Sequence, residues 1–155
     1  MRFSLLVILL AALVVVPAAA GHPLERYVAG SSSTVSLSNG RGVAILSSRD
    51  GAVLGTVGRG RVRLFDGPRG PETRSRLSGC RTMRRVSLHT RVCIGRNISF
   101  SVVDGTWRLT LRGMRINASA VLRGTILLAG TRGTYRIDDG ETRPWPRAGE
   151  SFRLG

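Results

Sequence analysis

The sequence predicts an all-β fold, a small antiparallel β-sandwich or flattened barrel of about 8–10 short strands. Three observations lead there. Glycine occurs 20 times in 155 residues, too often for long helices, in which each glycine costs about 1 kcal/mol. Between the glycines lie short runs of Val, Ile, Leu and Thr. Several of these runs alternate apolar and polar residues with the period of two that a half-buried strand requires.

The N-terminus is a separate element. Arg2 precedes an apolar run from Leu5 to Val16, then Pro17 and the small residues Ala18, Ala19 and Ala20. This is the layout of a secretory signal peptide, with cleavage expected after Ala20. The alternative is an uncleaved anchor, for which the run falls short of the ~20 apolar residues a spanning helix needs. The expected organisation is a signal peptide at 1–20, a flexible linker at 21–33 and one β domain at 34–155.

Early strands are expected near 34–38, 42–47, 52–57 and 60–65. The stretch GRGRVRLFDGP, residues 58–68, resembles an arginine-glycine box. Such boxes are disordered and poor in aliphatic residues. Here Val62 and Leu64 alternate with Arg61 and Arg63, so the stretch reads as a strand with arginine outward. Its pattern recurs in RGTYRIDDG, 132–140, and partly in GTWRL, 105–109. Residues 66–85 hold Pro, Gly, Ser and many Arg with little alternation, and are expected to form a long basic loop. RRVSLHTRVC then places Val86, Leu88 and Val92 inward and Arg85, His89 and Arg91 outward. Asp104-Gly105 is a two-residue hairpin signal. Folding there sets Val102 against Trp107, Phe100 against Leu109 and Ile98 against Leu111. Met114 to Leu122 continues the alternation, and TILLA, 125–129, is apolar on both faces. Trp145, between two prolines, is read as a plug for one end of the fold rather than an exposed stacking platform.

Cys80 and Cys93 are the two cysteines. In an exported protein such a pair predicts a disulfide. A two-cysteine metal site would need further ligands, and His89 is the nearest candidate.

Catalytic constellations are scarce. There are two histidines, and no GxSxG, HExxH or Walker-type loop. Asp138, Asp139 and Glu141 suit a solvated turn better than a calcium site, which takes six or more oxygens. Copper binding by His22 and His89 needs an unusual cleavage. The sequons at Asn97 and Asn117 lie inside predicted strands and read as chance matches. No enzyme activity, metal or cofactor is therefore expected.

What remains is charge. All 24 basic residues are arginine, against nine acidic residues. Without the signal peptide, 23 arginines face those nine acids, a formal charge of +14. GC-rich coding accounts for arginine replacing lysine, but not for the excess over acids. Arg61, Arg63, Arg108, Arg112, Arg115 and Arg136 share the outward parity of their strands. If the strands are neighbours, these residues form a basic face able to concentrate anionic polymers; a solvated face is the plainer alternative. The expected role is an exported, non-catalytic interaction protein of the cell envelope or extracellular space that binds anionic polymer. The alternatives are a module binding another envelope protein and, third, a secreted enzyme. Export argues against a physiological nucleic-acid partner, and membrane contact is expected only through the signal peptide.

Overall fold

The computed structural model describes residues 32–68 and 70–155. The signal peptide at 1–20, nearly all of the linker at 21–33, His22 and Arg69 lie outside the described residues. The described part is all-β and forms one antiparallel sheet. Its strands are β1 (Ser33–Asp66), β2 (Arg74–Ser87), β3 (Thr90–Val103), β4 (Trp107–Ile137), β5 (Arg143–Pro144) and β6 (Glu150–Leu154).

β1 and β4 hold 34 and 31 residues, far beyond an ordinary strand of about 5–6. Each divides into two passes. Residues 33–48 and 51–66 make up β1, and residues 107–122 and 124–137 make up β4, so the short strands read from the sequence are present but joined end to end.

The pairing shows how they are joined. β2 and β3 meet in a hairpin whose last pair is Ser87 with Thr90. Beyond it the same two chain directions stay paired: Asp66 with Trp107, Gly51 with Leu122, Ser48 with Gly124, Val35 with Ile137. Residues 33–87 and 90–137 are thus two arms of one long hairpin. The hairpin is wound on itself, because each arm also pairs with the next winding. Ala44 faces Leu128 on one side and Leu111, 17 residues earlier, on the other. Val62 likewise faces Leu111 and Cys93. The stacked tiers run β2, β3, 51–66, 107–122, 33–48, 124–137. The sheet does not close: β2 is one free edge, while the last tier is covered in part by β5 and β6.

The core fills the inside of the coil. Cys93, Val62, Leu111, Ala44 and Leu128 form one column through five tiers, each 0% exposed. The inward alternation read from the sequence supplies such a residue at each level. Trp145 seals the β5 end, buried against Gly40 and Gly130, with its indole N–H donating to the Thr134 carbonyl at 3.1 Å. Trp145→Phe should cost about 1–2 kcal/mol through the lost hydrogen bond and volume, measurable as a lower urea midpoint.

Three expectations need correction. The Asp104-Gly105 turn forms, with φ of 64° and 68°, and all six apolar residues expected on one face are buried. They do not pair across that turn. Val102 faces Val53 and Phe100 faces Gly55, because the 51–66 pass lies between β3 and β4. The turn carries the chain onward around the coil, stepping over one tier. Residues 66–85 are not a long loop, since β2 begins at Arg74. β2 lacks alternation because it is the edge tier. Its backbone pairs with β3, while its five arginines line a free edge and discourage edge-to-edge association. Val86 and Leu88 are not inward but 62% and 83% exposed, Met114 at the start of its alternating run is exposed as well, and Arg91 is half-buried, donating to the Ser75 hydroxyl.

Cys80 and Cys93 form a disulfide between β2 and β3 with Cα atoms 5.2 Å apart, as the pair of cysteines predicts. It ties the edge tier to the core column. Replacing both cysteines by serine should cost about 3 kcal/mol by the chain-entropy argument, read from denaturant unfolding. A larger m-value is expected as well, because the unfolded chain expands once the cross-link is gone. The bond is also consistent with an extracytoplasmic location.

Candidate anion-binding seam

At one corner of the coil every tier bends, and the bends stack. Gly95, Gly60, Gly113, Gly42 and Gly130 are cross-strand partners in consecutive tiers. A Cβ at any of them would come closer than 3.0 Å to the backbone of the adjoining tier. Only glycine lets the chains pass at this corner, so a bare backbone seam runs up the molecule.

Arginines stand on both sides of the seam. Arg96, Arg59, Met114, Arg41 and Arg132 form the column on one side, and Ile94, Arg61 and Arg112 flank it on the other. Three of the cross-strand pairs are arginine against arginine: Arg59 with Arg96, Arg61 with Arg112, and Arg41 with Arg132. Two grooves of about 1060 and 490 Å³ open along the seam, and no acidic side chain lines either. Five tiers at ~4.8 Å spacing make the column roughly 19 Å long.

Arg115 enters this site from an unusual backbone. Its φ is 53°, in the left-handed region that glycine and asparagine prefer. The matching corner positions in other tiers are Asn39, Asn97, Gly79 and Gly133, all with positive φ. An arginine in that role is held against its preference. The conformation lays its side chain over Gly58, which has room because it lacks a Cβ.

All six arginines named from the sequence are exposed. Arg61, Arg112 and Arg115 line the seam grooves. Arg63 and Arg108 continue the stripe along the same two passes into an adjoining groove of about 600 Å³, with Arg49, Phe65 and Ile45 in its walls. Arg108 donates to the Ser47 hydroxyl at 3.1 Å. Arg136 stands apart, opposite Ser36 on a wall of serine and threonine. Arg41, Arg59, Arg96 and Arg132 were missed. Their signal was the Arg-Gly and Gly-Arg dipeptides at 41–42, 59–60, 95–96 and 132–133, read as strand starts rather than as corners.

The acidic residues lie elsewhere. Asp104 pairs with Arg74 at 2.5 Å. Asp138 accepts the Thr34 backbone N–H at 2.7 Å, pinning the open end of the hairpin. Among the described residues no group of three His, Cys, Asp or Glu gathers as a metal site. Comparison with protein-family models, curated proteins and solved structures finds no match to this chain.

Proposed function

We propose that this is an exported, non-catalytic interaction protein of the cell envelope or extracellular space, and that the glycine seam docks a linear anionic polymer. The observation that carries the reading is the set of opposed arginine pairs. Like charges directly across a strand pair are destabilising, and here three such pairs share one corner with no acid lining its grooves. A run of phosphates, sulfates or carboxylates laid along the seam converts that repulsion into charge-assisted, bidentate hydrogen bonding. The bare glycine backbone lets such a chain lie close. Arg63 and Arg108 extend the surface sideways, while Arg136 is outside it.

The test is binding of the oxidised protein to heparin and to polyphosphate across a salt series. The comparison is with Arg59, Arg61 and Arg112 together replaced by glutamine. Tight binding that weakens steeply with salt and is lost in the variant supports the seam. Equal binding by both proteins moves the site elsewhere.

A further inference from the structure

We propose that the tip of the wound hairpin is a second, separate docking site, for an anionic lipid surface. Residues 86–89 extend past the last residue of the neighbouring tier, since β1 ends at Asp66 opposite this turn. The tip presents Leu88 at 83% and Val86 at 62% exposure, with Met83 at 48% just behind. Apolar side chains this open are uncommon when clustered, and a cluster marks an interaction surface.

Two features select a membrane rather than a protein groove. Arg84 and Arg85, both exposed, immediately precede Val86 in the chain. Guanidinium groups behind an apolar point suit a bilayer whose anionic headgroups lie just above its acyl region. Within the turn, both backbone groups of His89 are satisfied inside the protein. The His89 N–H donates to the Ser87 hydroxyl at 3.3 Å, and the His89 carbonyl accepts the Asp66 N–H at 2.7 Å. A turn entering the headgroup boundary therefore brings no open backbone polar groups at those positions, which is the condition a lipid environment sets. The site does not depend on the seam reading, because none of its residues lines the seam grooves.

Co-sedimentation with vesicles tests it. The probes are phosphatidylcholine vesicles containing about one-third phosphatidylglycerol, and phosphatidylcholine alone. The wild-type protein should bind the anionic vesicles and leave the neutral ones. Val86→Ser with Leu88→Ser removes apolar surface, keeps every arginine, and changes only exposed side chains. Its partitioning should fall at least about tenfold, while its heparin binding stays at the wild-type level. Arg84→Gln with Arg85→Gln should weaken partitioning most at low salt. Undiminished vesicle binding by the serine variant overturns the proposal, since any remaining attraction then belongs to the arginines alone. So does a wild-type dimer that the serine variant converts to monomer with vesicle binding unchanged, which would make the tip a self-association surface.

Discussion

Gly113→Val is expected to destabilise the protein by at least about 4 kcal/mol, more than most single substitutions do. Gly113 lies at the centre of the seam, between Gly60 and Gly42. A Cβ there would overlap the Arg59 carbonyl and crowd the Gly60 Cα. Both obstacles are backbone, held by ladders on each side, and neither can swing away. A β-branched residue would also have to accept the φ of 152° that Gly113 holds. A loss of this size corresponds to a melting temperature roughly 10–20 °C lower. Gly58→Ala is the matched control. It occupies the same corner, but its added methyl meets the side chain of Arg115 and no backbone atom; the guanidinium end can swing away, while the Arg115 Cβ at 2.9 Å has to shift with its chain. It should cost about 1–2 kcal/mol. Thermal unfolding of the two variants under oxidising conditions checks the pair. A Gly113→Val protein as stable as Gly58→Ala would mean that the tiers do not pass as closely as the seam requires.

The faces of the strands were legible in the sequence, and their partners were not. Ile98, Phe100, Val102, Trp107, Leu109 and Leu111 were all assigned inward, and all are buried. Alternation reports the side on which a residue lies. It carries no information on which strand lies next door, and a wound hairpin places the 51–66 pass between two segments that follow each other directly in sequence. A two-residue turn signal fits a chain that reverses and a chain that carries on around a coil. The reversal at Ser87–Thr90 has no glycine, and in the sequence it reads as the middle of a strand.

The site was half legible for a related reason. Outward parity identified Arg61, Arg63, Arg108 and Arg112, which do lie on two adjoining passes. It could not identify Arg41, Arg59, Arg96 and Arg132, because alternation breaks at the corner. There Val57 and Gly58 are both buried, and Gly58 and Asn97 drop out of the ladder between the pairs Val57 with Ile98 and Arg59 with Arg96. The stacking that unites these residues repeats about every 18 residues within each arm, with the tiers of the two arms alternating and running opposite ways. Within each arm the repeat runs in one direction, as Arg41-Gly42 and Arg59-Gly60 show, whereas the segments that look alike, RGRVRLFDG and RGTYRIDDG, belong to different arms. Those copies sit at different levels: Val62 stacks with Leu111, whereas Tyr135 stacks with Leu37.

Replacing Arg59, Arg61 and Arg112 by glutamine should move stability and binding in opposite directions. In the free protein two opposed pairs, Arg59 with Arg96 and Arg61 with Arg112, lose their repulsion. Each such pair costs roughly 0.2–1 kcal/mol, so the variant should melt a few degrees higher at low salt, and the gain should shrink as salt screens the wild-type charges. Polymer binding should fall on the order of 100-fold near physiological salt, with a shallower salt dependence because fewer counterions are released. Saturating polymer should raise the melting temperature of the wild-type protein well above that of the variant, since a ligand that binds only the folded state stabilises it by mass action. The two signs together are diagnostic. Arginines kept merely for solubility would also relax on substitution, but polymer binding would then be unchanged. Arginines that packed the fold through their aliphatic stems would lower stability when shortened. Only a surface held in repulsion until an anion bridges it gives a more stable free protein and a weaker complex.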